Sequence, residues 1–452
     1  MNNKRTSDPK VWTTKPRDQY PNWSDQGEVE AIVNKIKKLP PLVFAGEIRS
    51  LNEKLAEVEA GKGFLLQAGD CAETFAECNA PVIREKLKVV LQMAVILTYS
   101  ARVEVVKVGR IAGQYAKPRS SESETIDGIT LPSYKGDLIN SFGFDEPSRT
   151  PDPKRLLEGY YNAVATLNLI RAYTKGGFAG LDKVHNWNQE FVARSPIGER
   201  YEKLAVEIEN AIAFIKSCGM NFENTRSLNE VDFFTSHEAL VLEYEQSLTR
   251  EDSLTGKIYD CSAHTVWLGD RTRRLDGAHV AYLQQIENPI GVKVGPTAEP
   301  DEVIEIVKSL NPQQIPGKLT LINRVGRDKP TSLITERIKA VQNAGLSTIW
   351  ACDPMHGNTY STSTGKKTRD FNDILQEVKN FFQACKDADA FPGGIHVELT
   401  GENVTECVGG GFDVTDNELN SRYETLCDPR LNASQSLDLA FEVAELLKTM
   451  QE

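Results

Sequence analysis

The chain has 452 residues and a formal net charge of −12 at pH 7. Hydrophobic residues at 40% and charged residues at 26% are ordinary for a globular protein that buries a large core. The acidic balance argues against nucleic-acid and anionic-membrane partners. No apolar run approaches the roughly 20 residues of a bilayer span. The leading MNNKRTSDPKVWTTKP lacks an apolar signal region. A cytoplasmic location follows as an expectation, and the eight cysteines, with no CxxC pair, fit reduced thiols there.

Residues 1–62 form a lead-in. Trp12, Tyr20, Pro21 and Trp23 lie in a Pro-rich extended stretch, and helical patterns follow at about 28–37 and 44–60. Such an extension packs on the outside of a domain or on a neighbouring subunit, so an interface or regulatory role is expected. From residue 63 the pattern changes to short apolar runs bounded by turn residues, most of them separated by helical stretches. Eight occur: 63–71, 103–110, 229–237, 263–271, 291–296, 319–326, 347–356 and 393–403. Runs of this kind read as buried parallel strands, and eight is the number of a (β/α)₈ barrel. Helical spacing at 79–100, 272–287, 300–310, 331–345, 370–386 and 433–449 fills most gaps. The gap between the second and third runs is too long for a loop. With helical stretches near 152–175 and 200–217, it reads as an accessory insertion at about 150–225 on a catalytic barrel spanning 63–452.

Barrel chemistry sits where strands finish, and the reactive side chains cluster there. The first run ends in Asp70 and Cys71. The second ends in Arg110, with Lys117 and Arg119 close behind, and the third ends in His237 and Glu238. Then come Trp267, Asp270 and Arg271, followed by Lys293 and Arg324. Asp353, His356, His396 and Glu398 close the set, with Asp428 beyond. Taken singly, each has a plain structural reading: a lone Cys is usually a small hydrophobe, and His396 reads equally well as a hydrogen-bonded core histidine. Cys427 reads as structural, and His185, His264 and His279 have no assigned role. Lys293, between valines, needs an anion to offset its burial.

Two constellations stand out. Cys71, His356, Glu398 and Asp428 offer a thiolate, an imidazole and two carboxylates, a mixed set suited to Mn²⁺, Co²⁺, Fe²⁺ or Zn²⁺. Arg110, Lys117, Arg271, Lys293 and Arg324 form a cationic set matched to phosphate and carboxylate. No Walker or GxGxxG loop is present.

The motifs QAGDCAETF (67–75), GRIAGQYAKPRS (109–120), TSHEAL (235–240), WLGDRTRRLDGAH (267–279), KVGP (293–296), DPMHGNT (353–359), STGKKTR (363–369), GGIHVELTGENVTEC (393–407) and CDPRLN (427–432) resemble the type II family of 3-deoxy-D-arabino-heptulosonate 7-phosphate (DAHP) synthases. WTTKPRDQYP near the N-terminus is similar too. The resemblance implies an aldol-like condensation of phosphoenolpyruvate with erythrose 4-phosphate, the first step of the shikimate pathway. It also implies a divalent metal, Mn²⁺ or Co²⁺ foremost, on Cys71, His356, Glu398 and Asp428. Phosphoenolpyruvate would lie on Arg110, Lys117, Arg271, Lys293 and Arg324, with Ser120 and Lys367 near erythrose 4-phosphate. Asp270 stands where many relatives carry Glu, and it is kept as a substrate-site residue. Lys117, Arg110 and Glu238 are the catalytic candidates; Lys117 would move a proton at the aldehyde oxygen, with Glu238 or a water as its rival. Aromatic amino acids are expected as feedback inhibitors, and a homodimer or homotetramer as the assembly. Oxidation linking Cys71 to Cys427 would destroy the metal site. Two other readings are a non-catalytic sugar-phosphate-binding regulatory barrel and a metal-dependent aldolase with another acceptor.

Overall fold

A computed structural model describes residues 11–219 and 225–450. Eight strands close into a parallel barrel: β1 (Gly63–Gly69), β2 (Glu104–Arg110), β3 (Phe234–Glu238), β4 (Thr265–Leu268), β5 (Ile290–Val294), β6 (Leu319–Asn323), β7 (Ile349–Cys352) and β8 (Gly394–Glu398). Each pairs with its sequence neighbours, and β1 pairs with β8. Their apolar side chains need cover on both faces, which only a closed, helix-wrapped sheet provides.

The helix Ala80–Ala101 shows how the outer layer forms. Asn79 caps it by accepting from Val82 N at 3.1 Å, Pro81 sits in the first turn, and Arg102 ends it in the left-handed region at φ 51°. Its buried Val90, Met93 and Leu97 share one cluster with Phe64 and Leu66 of β1 and Leu439 and Val443 of the last helix, Ala433–Thr449.

Register decides what reaches the barrel mouth. Gly69 of β1 pairs with Arg110 on one side and Glu398 on the other, so these two side chains arrive at one level across a single glycine. A Cβ on Gly69 would lie 2.6 Å from Arg110 O, and its φ is +147°, so glycine is required there.

Two expected boundaries move. The third strand begins at Phe234 rather than 229, because residues 230–233 are a connector whose Phe233 packs outward on the insertion. The helix expected at 272–287 contracts to Ala278–Leu283. Ahead of it Arg273 turns to Asp270 at 2.9 Å and Arg274 to Asp276 at 2.8 Å. The insertion occupies the whole stretch between Arg110 and Phe234, wider than 150–225. It contains the hairpin Ser123–Ile126/Ile129–Pro132 and the helices Lys154–Lys175, Leu181–Arg194 and Glu199–Ser217.

The lead-in packs on its own chain. Val29 and Ile36 of the helix Gln26–Ile36 bury against Leu156, Tyr160 and Leu167 of the insertion. Ahead of it, Arg17 lies over the rings of Trp12 (5.1 Å) and Tyr20 (4.8 Å), and Pro16 O accepts from Ala278 N at 2.9 Å. Gln19, in the left-handed region at φ 59°, accepts from Arg119 N at 2.8 Å. Among the described residues no helix is long and apolar enough to cross a membrane.

Candidate active site

The strand ends open into a cavity of about 320 Å³. Its lining includes Cys71, Arg110, Lys117, Ser120, Glu238, Asp270, Arg271, Lys293, Arg324, His356, Lys367, Glu398 and Asp428, every residue selected from sequence for metal or substrate.

Glu398 is the hub. Its Oε1 accepts from Arg110 Nη2 at 2.9 Å and Lys117 Nζ at 3.2 Å, and lies 3.0 Å from His356 Nε2; Oε2 accepts from Arg369 Nη1 at 2.8 Å. Burial alone would raise this carboxyl, but His356, Lys117 and Arg369 hold it well below the usual range. Four cationic or imidazole groups around one fully buried carboxylate need further anions, and the neighbours supply them. Lys117 Nζ also meets Asp428 Oδ2 at 2.6 Å and Cys71 Sγ at 2.6 Å, while Lys367 Nζ meets Asp428 Oδ1 at 3.0 Å.

The second hub is Asp353, at the end of β7. Its Oδ2 pairs with His356 Nδ1 at 2.7 Å and with Lys293 Nζ, and Oδ1 accepts from Met355 N at 3.0 Å. The anion that Lys293 required is thus supplied by the protein. Burial still pushes that lysine down to about 8, with Asp353 opposing the shift and Arg110 adding to it.

Asp270 lines the cavity with its carboxylate held by three donors. Oδ1 is taken by Arg273 Nε and Gly295 N, each at 2.9 Å, and Oδ2 by Arg324 Nη1 at 3.1 Å. Through Oδ2 it aims Arg324 into the cavity. Arg271 and Ser120 stand exposed at the cavity rim. Glu238 sits deep inside, with Oε1 lacking any hydrogen-bond partner among the described residues. Desolvation pushes its carboxyl up to about 7 against Lys117, Lys293 and Arg110.

His396 is a positioning histidine in the barrel interior. Nε2 meets Arg110 Nη1, Nδ1 lies 2.8 Å from Gln67 Oε1, and the ring stands edge-on to Trp267. Burial and then the charges of Lys293 and Arg110 hold it well below the ordinary imidazole value, so it is neutral. His237 points away from the cavity to Glu245 at 3.0 Å. Asp70 is structural, gripped by Lys86 and by Arg430 Nη1 at 2.7 Å.

Cys71, His356, Glu398 and Asp428 are brought together but not preformed as a metal cage: among the described residues no three His, Cys, Asp or Glu side chains stand ready to take a metal ion. The Lys117 ammonium lies among three of the four, a cation where these donors converge. A thiol and two carboxylates around one positive charge, with the His356 imidazole against the same Glu398, fit a borderline divalent ion. Burial keeps the Cys71 thiol well above its usual range, so a bound cation is what would release its proton.

Several supporting residues carry no signal of their own in the sequence. Arg369 and Thr359 stand behind the cage, and Gln114 Nε2 donates to Cys71 O at 3.3 Å. Buried carboxylates pin the loops. Glu73 accepts from the backbone of Ala112, Gly113 and Gln114 at 2.9–3.1 Å, and Glu377 from Val325 N and Gly326 N at 2.8 Å. Such residues look like ordinary surface Glu until the fold is known.

A (β/α)₈ barrel with a Cys/His/carboxylate cluster and several cations at its strand ends defines a barrel enzyme class whose site suits phosphorylated anions. The chain belongs to the class-II DAHP synthetase family, whose sequence profile matches residues 7–444. It is 52% identical over 438 residues to a phospho-2-dehydro-3-deoxyheptonate aldolase of Streptomyces coelicolor, covering 97% of each chain. A Mycolicibacterium smegmatis protein of the same name is 51% identical over 96% of this chain and 93% of its own. Among solved structures, the DAHP synthase of Thermotoga maritima is 14% identical, with a TM-score of 0.35 over 86% of this chain and 71% of that one.

Proposed function

We propose that this protein condenses phosphoenolpyruvate with D-erythrose 4-phosphate and water to give DAHP and inorganic phosphate, opening aromatic amino acid biosynthesis. The observation that carries this reading is one cavity in which Lys117 meets Cys71, Glu398 and Asp428 while Arg110, Lys293 and Arg324 face the same space.

Two phosphorylated anions repel, and a fixed cationic ring offsets that repulsion before reaction. Arg110, Arg271, Lys293 and Arg324 take the phosphate and carboxylate of phosphoenolpyruvate. Asp270 aims Arg324, and Asp353 spaces Lys293 from His356. Arg119, Ser120 and Lys367 line the same cavity beside Asp428 and receive erythrose 4-phosphate. Cys71, His356, Glu398 and Asp428 would hold a divalent ion, Mn²⁺ or Co²⁺ by their donor chemistry with Fe²⁺ and Zn²⁺ as rivals, which when bound polarises the aldehyde carbonyl. Lys117 holds the proton at the aldehyde oxygen as C3 of phosphoenolpyruvate adds to the aldehyde carbon. Glu238, raised to about 7 and so partly ionised near neutral pH, takes in its carboxylate form the proton released by the water that adds at C2 before phosphate leaves.

The reading extends to assembly and control. The lead-in (1–62) and the insertion between Arg110 and Phe234 act in subunit contact and aromatic feedback. Exposed Val206 and Phe214 on the helix Glu199–Ser217 support this as uncovered apolar surface. A homodimer or homotetramer in the cytoplasm is the working form, and all eight cysteines being free suits that compartment. The test of the reaction is product identity: mixing the two substrates with protein and Mn²⁺ should yield DAHP and phosphate in equal amounts. Phosphate released with pyruvate and no seven-carbon product would show hydrolysis of phosphoenolpyruvate instead and contradict the condensation.

A further inference from the structure

Arg369 lies outside the cavity wall and is fully buried. Its backbone is fixed between the short strand Lys367–Thr368 and the helix Phe371–Asp387: Arg369 O accepts from Val408 N at 2.9 Å, and Thr368 Oγ1 donates to Glu406 O at 2.9 Å. The guanidinium reaches three separate segments. Nε donates to Thr359 Oγ1 at 2.8 Å, three residues after His356. Nη1 donates to Glu398 Oε2 at 2.8 Å and to Pro429 O, the carbonyl next to Asp428. One side chain therefore ties together the stretches carrying three of the four proposed metal ligands.

Fold stability explains this poorly. Nη2 is buried with no hydrogen-bond partner among the described residues, a penalty that a residue kept for packing alone would avoid. A buried ion pair is weak evidence for stability in any case. The consequence for Glu398 is specific. With Oε2 committed to Arg369, only Oε1 faces Lys117 and His356, so the carboxylate presents one oxygen in one orientation. The Pro429 contact sets the neighbouring Asp428 at the same time.

We propose that Arg369 is a positioning residue for the metal site, presenting Glu398 through Oε1 alone and fixing Asp428 beside it. This rests on the metal reading given above. Supporting groups of this kind typically change metal affinity about 10- to 100-fold when removed.

The test uses Mn²⁺ alone, titrated into chelator-stripped full-length protein without substrate, with free Mn²⁺ followed by its electron paramagnetic resonance. Wild type should take up Mn²⁺ at one site. Arg369→Met should raise the dissociation constant about 10- to 100-fold. Arg369→Lys, which keeps the charge but cannot reach three partners, should recover only part of the loss. Millimolar guanidinium should partly rescue Arg369→Ala, which a general packing defect would not permit. Wild-type affinity in Arg369→Met overturns the proposal, as does full recovery in Arg369→Lys. Where Arg369→Met does not fold, wild-type affinity in the Lys variant overturns it equally. A wild-type protein that takes up no Mn²⁺ removes the metal reading and this inference together, an outcome distinct from variants that merely match wild type.

Discussion

Asp353 Oδ2 lies 2.7 Å from His356 Nδ1, and this contact turns the other ring nitrogen to within 3.0 Å of Glu398 Oε1. A carboxylate that orients an imidazole fixes both its tautomer and its direction. Burial would raise the Asp353 carboxyl, but the charges of His356 and Lys293 hold it well below the usual range. Asp353→Asn keeps the shape and removes the charge. It should lower kcat/KM about 10- to 100-fold with an unchanged far-UV circular dichroism spectrum. Wild-type kinetics in this variant would make Asp353 a bystander.

Glu238 gives a pH signature. Its folded pKa, raised to about 7 by desolvation, exceeds the ordinary Glu value. Between those values the folded state binds more protons than the unfolded state. The group therefore favours folding at acidic pH, and that contribution is lost as pH rises through 7, by on the order of 1 kcal/mol per pH unit. Glu238→Gln should flatten this part of the stability curve, so chemical denaturation at pH 5.5 and 8 should show the variant gaining relative to wild type at the higher pH. Parallel curves would show that Glu238 does not titrate there.

Cys71 and Cys427 share one small buried cluster with Tyr134. The neighbouring Cys71 thiol, with help from Arg119 and Lys117, pulls the Cys427 thiol below its usual range. Peroxide should oxidise the pair to a disulfide, two thiols and one peroxide giving the bond and two waters, with loss of Mn²⁺ uptake that dithiothreitol restores. Cys427→Ser should resist this reversible loss. Peroxide sensitivity unchanged in that variant would sink the idea.

Gln19 links the lead-in to the cavity. It holds a strained backbone conformation and accepts from Arg119 N, whose side chain lines the cavity beside Ser120. Gln19→Ala loses one hydrogen bond of about 1 kcal/mol, so KM for erythrose 4-phosphate should rise roughly fivefold. KM for phosphoenolpyruvate should stay put, and equal shifts in both constants would assign the effect to the whole barrel.

The strand ends were legible because parallel barrel strands are short, apolar and terminated by polar residues, so Cys71, Arg110, Glu398 and their companions announce themselves by position. Support was not legible. Arg369 sits in the polar tract STGKKTR, where nothing distinguishes a buried guanidinium from a solvated one. No sequence pattern reveals that Arg273, Gly295 and Arg324 donate to the Asp270 carboxylate. The third strand is shorter than its apolar run because Phe233, which continues the run of Phe234, packs on the insertion instead. The insertion's early start had a local sign: Asp127 and Gly128 form the tip of its hairpin, both with positive φ, as such turns require.

In the proposed reaction Cys71, His356, Glu398 and Asp428 hold the divalent ion on which turnover of the two substrates depends. The most direct measurement is phosphate release from phosphoenolpyruvate plus erythrose 4-phosphate by chelator-stripped protein, before and after adding Mn²⁺, for wild type and Cys71→Ala. Release should be absent without metal, restored by Mn²⁺ in wild type, and not restored in the variant. Full release by stripped wild type, or Mn²⁺-restored release equal to wild type in Cys71→Ala, would contradict it.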